Sequence, residues 1–345
     1  MKGSTIARVV RKTLKGVVLL VALVALAILG WVAYTQRERT ARETQSAESI
    51  ANGQGRWVAV GDVSVYVRTW GREVDPVVVL VHGTGAWSGT WFDVPTTLIA
   101  HGWQVVAIDL PPFGLTRAVS DGSVDYRRDA QATRILAVIA TLHRPVTLLG
   151  HSFGAGPSLQ AALRGGDDIA RLVLVDPALG LGPGGEPPRC VDAPLVDALL
   201  SHRSVRTALV GATATHPGFT ATMLRSFVHR KERIDGTLLP AYRIPFARRG
   251  FSADLGDWAA TFAHASCEGA ASLAVERLRA WSTGRPPVRM IWGAEDDITP
   301  LAQGSALQGW LAHSTLDVIP GVGHIPHLED PRAFDDVLLR VLGPR

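Results

Sequence analysis

A serine hydroxyl is a poor nucleophile unless it is exposed and hydrogen-bonded to a base. One stretch of the sequence is shaped to meet both conditions, Gly150-His151-Ser152-Phe153-Gly154. It lies between the apolar run Val146–Leu149 and the helical Ser158–Leu163. A tight strand-to-helix turn would lift Ser152 above a sheet, and side chains at Gly150 and Gly154 would collide with the neighbouring strand and helix. The N-terminus of the following helix leaves backbone N–H groups free to meet developing negative charge. An acid and a base come later in the chain. Asp296 stands in Trp292-Gly293-Ala294-Glu295-Asp296-Asp297-Ile298-Thr299-Pro300, just past the run Val288–Trp292. His324 ends Gly321-Val322-Gly323-His324, past Leu316–Ile319. Nucleophile, orienting acid and general base for acyl transfer occur in this chain order on α/β sheets.

Elements must bring these three together. Val58–Trp70 carries Gly61-Asp62 between apolar stretches, as a hairpin does. Val77–Val81, Val105–Ile108 and Leu172–Val175 are continuous apolar runs, and Val146–Leu149 is broken only by Thr147, the pattern of strands buried on both faces. Between them, Ala132, Ile135, Leu136, Ile139 and Leu142 recur at helical spacing. The alternation stops at Leu179. Through Arg285 there are Gly/Pro clusters and short helical pieces, with no convincing strand. It resumes at Val288–Trp292, continues through a helix near Leu301–Leu311 and Leu316–Ile319, and ends in a helix with Phe334, Val337, Leu338, Val341 and Leu342 on one face. Strands alternating with helices imply right-handed crossovers and a mainly parallel sheet covered on both faces. Its site belongs at the carboxyl ends of the strands, where Ser152, Asp296 and His324 all fall.

These segments resemble the α/β-hydrolase family, specifically its members with a lid after the sixth strand, over roughly Trp57 to Leu342. The turn His82-Gly83-Thr84-Gly85 is similar to the family's oxyanion-loop motif. Asp109-Leu110-Pro111-Pro112-Phe113-Gly114 is similar to a turn of the family with Pro112 in place of a Gly, and Gly323-His324-Ile325-Pro326-His327-Leu328-Glu329-Asp330-Pro331 to the segment around its histidine. The resemblance implies Ser152 as nucleophile, His324 as general base and Asp296, rather than Glu295 or Asp297, as orienting acid. It implies backbone N–H groups of Thr84 and Phe153 as the oxyanion hole, and no cofactor or metal. A carboxylic ester, or a related acyl compound, is the implied small-molecule substrate. Carbon–carbon bond hydrolysis and perhydrolysis use the same triad, and some proteins of this fold are non-catalytic receptors or scaffolds. Ser152 argues against the halide and epoxide chemistry of members with an Asp nucleophile.

The N-terminus has a separate task. Gly16 to Tyr34 is nineteen residues without a charge. As a helix it is roughly 28 Å long, near the thickness of a bilayer's hydrocarbon. Basic residues are in excess before it (Lys2, Arg8, Arg11, Lys12, Lys15), which favours a cytoplasmic N-terminus and an exported globular part. A cleavable signal peptide is the rival, but Trp-Val-Ala-Tyr comes after Gly30 where cleavage needs small side chains. The expected organisation is a basic flank at 1–15, an anchor at 16–34, a flexible polar tether at 35–56, a core at 57–178 and 286–345, and a lid at 179–285. Within the lid, Phe219, Met223, Leu224, Phe227, Phe246 and Phe251 are available as apolar lining.

The formal charge of the 345 residues is +4, but Arg and Lys are scattered and no groove-reading motif occurs, which excludes a nucleic-acid partner. Cys190 and Cys267, the two cysteines, are either free thiols or one disulfide across the lid. No feature specifies an oligomeric state. Among other polar candidates, His82 and His151 read as scaffold and Asp109 as structural. His327 reads as packing at the start of the last helix. Asp176, ending a strand, reads as a turn cap and otherwise as an alternative acid.

Overall fold

The computed structural model describes residues 2–119, 123–187, 194–262, 274–285 and 288–343. Cys190 and Cys267 lie outside the described residues. The strands are β1 (Arg56–Val60), β2 (Val63–Trp70), β3 (Val77–Val81), β4 (Gln104–Ile108), β5 (Arg117–Ala118), β6 (Val146–His151), β7 (Ile169–Val175), β8 (Arg289–Gly293) and β9 (Thr315–Ile319). They form one sheet in the order β1-β2-β4-β3-β6-β7-β8-β9, with the short β5 paired to β2. β1 and β2 make the expected antiparallel hairpin, and β2 meets β4 antiparallel. From β4 through β3 to β9 every pairing is parallel.

The helices are α1 (Lys2–Arg42), α2 (Ala47–Ala51), α3 (Val94–Ala100), α4 (Arg128–Ala140), α5 (Ala155–Arg164), α6 (Pro194–Leu200), α7 (Arg203–Ala212), α8 (Pro217–Phe227), α9 (Leu239–Arg243), α10 (Phe251–Phe262), α11 (Val275–Ser282), α12 (Leu301–Trp310), α13 (Pro326–Glu329) and α14 (Pro331–Leu342). Because side chains alternate along a strand, β3 feeds two cores. Val77, Val79 and Val81 pack with Ile135, Val138 and Ile139 of α4 and with Leu159 of α5. Val78 and Leu80 pack on the other face with Leu98 of α3 and with Phe334 and Leu338 of α14. The insertion comes after β7, the sixth strand of the main path, and its described residues are helical and coil.

The segment read as a flexible tether is structured instead. α1 continues to Arg42, because residues 35–42 contain no Gly or Pro and bond internally: Thr40 Oγ1 donates to the Gln36 carbonyl (2.9 Å) and Arg39 Nε to Gln36 Oε1 (2.9 Å). Polarity alone misjudges residues 43–52 in the same way. Glu43 is buried, its Oε1 accepting from the Ser252 amide (3.3 Å) and hydroxyl of the lid. Ala47 and Ala51 of α2 are buried against Tyr66, Trp87 and Leu115, small enough to let that helix lie close. Ser46 caps α2 by accepting from the Ser49 amide, and left-handed Asn52 (φ 46°) ends it.

The turn after β6 is packed against β3. A Cβ on Gly154 would lie 2.4 Å from the His82 carbonyl oxygen and 2.7 Å from that of Val81. Backbone atoms cannot yield that space. Gly154→Ala is expected to lower stability by about 1–3 kcal/mol, measured as a fall in Tm; an unchanged Tm would contradict this packing.

Candidate active site

Each candidate side chain is set by the strand before it. Ser152 directly succeeds β6, with φ of +50°, a conformation a non-glycine residue holds only when its surroundings impose it. The constraints are visible: the Ala178 amide donates to the Ser152 carbonyl (3.0 Å), and α5 begins three residues on. Asp296 lies past β8 and His324 past β9, in the loop ahead of α13. Parallel strands β6, β8 and β9, with β7 between the first two, therefore present their carboxyl ends to one place, and the lid roofs it. Ser152, Asp296 and His324 are each 6% exposed or less.

The three make one hydrogen-bonded line. His324 Nε2 lies 2.7 Å from Ser152 Oγ, and His324 Nδ1 lies 2.8 Å from Asp296 Oδ2. Asp296 Oδ1 accepts from the amides of Ile298 (2.8 Å) and Thr299 (2.9 Å), and Oδ2 also accepts from the Thr299 hydroxyl (2.6 Å). Burial works to raise the Asp296 pKa, but bonding to His324, the imidazole's charge and the Thr299 donors outweigh it, and the carboxyl sits below its ordinary value. An ionised Asp296 only accepts, so the imidazole carries its proton on Nδ1 and its Nε2 accepts from the serine. Glu295 and Asp297, the neighbouring acids, are exposed and do not compete.

Thr84 comes after Gly83, where a Cβ would lie 2.8 Å from His151 Nδ1 and 3.0 Å from Ser152 Cβ. The loop after β3 is thus pressed against the turn that holds Ser152. The Phe153 ring meets Phe113 of the core (5.5 Å) and Trp258 of the lid (5.6 Å). A lid–core cleft of about 530 Å³ is lined by Tyr126, Arg127, Asp197, Arg206, Asp257 and Thr261, and none of the three hydrogen-bonded residues reaches it. Among the described residues no group of three or more His, Cys, Asp or Glu side chains is arranged to hold a metal ion.

Several supports were not legible beforehand. His151 bonds through Nε2 to the His324 carbonyl (2.8 Å), tying the serine's strand to the base's backbone. Buried Glu329 gathers the amides of Gly323 (3.0 Å) and Ile325 (3.2 Å) on either side of His324, together with His229 (2.8 Å) and Arg230 (2.9 Å) of the lid. Phe227 of α8 stacks on the His324 ring at 6.0 Å, and its carbonyl accepts from the His324 amide (3.2 Å). The clearest sequence trace of these supports is Glu329, an acid close after the histidine. His327 is buried against Trp91 (4.8 Å) and Phe334 (5.6 Å), and burial holds its pKa down at about 3, so it is neutral packing. His82 is likewise lowered to about 4 by burial, and its Nε2 accepts from the Leu110 amide (3.0 Å). Asp109 accepts from the amides of Ser88 (2.6 Å) and Leu115 (2.8 Å), and burial raises its pKa to about 6.

A family model for the alpha/beta hydrolase fold matches residues 76–331. The chain belongs to the α/β-hydrolase family. This α/β hydrolase is 27% identical over 273 residues to an uncharacterized protein of Mycobacterium tuberculosis, covering 77% of the chain and 75% of that protein. It is 26% identical over 264 residues to the 2-hydroxymuconate semialdehyde hydrolase of a Pseudomonas species, covering 74% and 83%. The crystal structure of a membrane phospholipase A superposes with a TM-score of 0.61 at 21% identity, over 96% of this chain and 98% of that one.

Asp176, the other acid at a strand end, is fully buried with φ of +41°. Its Oδ1 accepts from the Gly293 amide (2.9 Å), while Oδ2 is buried without a donor. Burial first, then the charge of Asp296, hold its pKa well above the carboxylate range. A carboxyl whose folded pKa is raised favours folding most below its unfolded value and loses that advantage as pH rises. Asp176→Asn imitates the protonated acid. Its Tm relative to wild type is expected to climb from pH 4 to pH 8, with hydrolytic kcat within about threefold of wild type, whereas Asp296→Asn loses on the order of 10³–10⁴. The reverse pattern would make Asp176 the working acid.

Proposed function

We propose that this hydrolase is a membrane-anchored serine esterase that works through an acyl-enzyme on Ser152. The observation that carries the reading is the unbroken line from the Ser152 hydroxyl through His324 to Asp296. In the first half-reaction Ser152 Oγ attacks the ester carbonyl carbon as its proton passes to His324 Nε2. The carbonyl oxygen becomes an oxyanion, met by the backbone N–H groups of Thr84 and Phe153, each worth on the order of 3 kcal/mol in the transition state. Asp296 stabilises the imidazolium. The ester C–O bond then breaks and the alcohol leaves with the proton from Nε2. Water repeats the sequence on the acyl-enzyme: His324 takes its proton, the hydroxyl adds to the carbonyl, and Ser152 departs reprotonated.

The same nucleophile and base would serve a carbon–carbon bond hydrolase, and the Pseudomonas relative is named for a semialdehyde rather than an ester. An anchored enzyme would meet lipid-like acyl esters at the membrane. Residues 11–42 contain a helical stretch of mean hydropathy 2.8 whose most apolar window is wholly unburied, long and apolar enough to cross a membrane. With the basic flank on the cytoplasmic side, the globular part would face outward.

A fluorophosphonate probe tests the reading. Wild-type protein is expected to become covalently labelled, and Ser152→Ala to lose the label while keeping its Tm. A folded wild type that stays unlabelled would favour a receptor or scaffold on the same fold.

A further inference from the structure

The anchor does not end where the hydrolase begins. From Trp31, at the far end of the apolar span, onward, α1 is fastened to the lid rather than to the sheet. The Trp31 ring lies 5.7 Å from His216, which in turn lies 5.6 Å from Phe219. Gln36 Nε2 donates to the Ala208 carbonyl of α7 (3.3 Å), and Gln45 pairs with Arg248 as an isolated β-bridge. The lid is therefore the part of the globular domain held at the mouth of the span. It is also where large apolar side chains are left in solvent on successive helices: Leu195 (86% exposed) and Leu199 (54%) on α6, Leu209 (39%) on α7 and Phe219 (41%) on α8. Apolar groups gathered beside a membrane span match an interface better than they match water.

One helix joins this face to the chemistry. α8 begins beside Trp31 and ends at His324, and Phe219, Met223 and Phe227 stand at i, i+4 and i+8 on one side of it. Phe219 is exposed near the anchor. Met223 reaches the loop after Thr84, its Cε lying 3.4 Å from where a Cβ on Gly85 would be. Phe227 stacks on the His324 ring. From Phe219 to Phe227 the helix rises about 12 Å, comparable with the roughly 15 Å thickness of one leaflet's hydrocarbon.

We propose that the lid face carrying Leu209 and Phe219 seats in the bilayer that α1 spans, and that α8 guides a fatty-acyl ester of a membrane lipid along Phe219, Met223 and Phe227 to Ser152. The proposal rests on the esterase reading and on α1 as a membrane span, and it names the substrate class: long-chain esters delivered from the lipid phase. The ester carbonyl reaches the serine while the tail trails back toward the membrane over the apolar stripe.

The test uses the full chain reconstituted in phosphatidylcholine vesicles, with two substrates: a fluorogenic long-chain acyl lipid dissolved in the bilayer and a water-soluble butyrate ester. Phe219→Asp is expected to lower the ratio of lipid to butyrate turnover at least tenfold. Leu209→Asp, at a second exposed position, supplies the same readout if the first variant does not fold. A ratio unmoved by either substitution would overturn the proposal. So would a wild type that cleaves butyrate but not the bilayer ester. A wild type inert toward both esters would instead remove the esterase reading beneath it.

Discussion

An imidazole accepts a proton from a serine only while it is held in the right tautomer within hydrogen-bond distance of the hydroxyl, and most of the ordered polar contacts around the site serve that constraint. His324 is fixed from four directions. Asp296 orients its ring through Nδ1, His151 holds its carbonyl, Phe227 takes its amide and covers its face, and Glu329 binds the amides on either side of it. Asp296 is itself held by Thr299 and Ile298. The serine answers from a strained turn that cannot relax, because Gly154 packs against the end of β3 and Gly83 against His151 and Ser152. Such a site is organised before any substrate arrives, and preorganisation is the largest lever enzymes have over charge developing in a transition state.

The contacts of His324 do not all come from the sheet. Phe227, His229 and Arg230 belong to the insertion, and Glu329 joins the last two to the loop that carries the histidine. Lid and base loop are therefore one hydrogen-bonded unit. The other end of the lid is tied to α1 by Trp31 and Gln36, and to the residue just past it by Glu43. A displacement of the lid at the proposed membrane face would be felt at the imidazole, because α8 is a short rigid rod between the two.

The fold was legible because β3 is an unbroken Val/Leu run and the other parallel strands carry short, largely apolar cores, each separated from the next by a helix or the insertion. The elbow glycines could be read from local pattern, whereas the preference for Asp296 over Glu295 and Asp297 came from the family resemblance. Residues 35–56 could not be read in either way. Polar composition says solvated chain, yet Glu43 finds its partner in Ser252, more than two hundred residues away, and Ala47 and Ala51 pack through small size rather than hydrophobicity. The link from His151 to His324 is equally hidden, since it depends on how β6 and β9 sit in one sheet. Asp176 shows the limit most plainly: its place at a strand end is readable, but its crowding against Asp296 belongs to the tertiary structure alone.

A double-mutant cycle across the serine–imidazole contact tests the central claim directly. The kcat/KM for a soluble ester would be measured for Ser152→Ala, His324→Ala and the pair. If the two side chains act as one unit, each single variant falls nearly as far as the double, and the losses do not multiply. Losses that multiply would mean that the 2.7 Å contact is not the one through which the hydroxyl is activated.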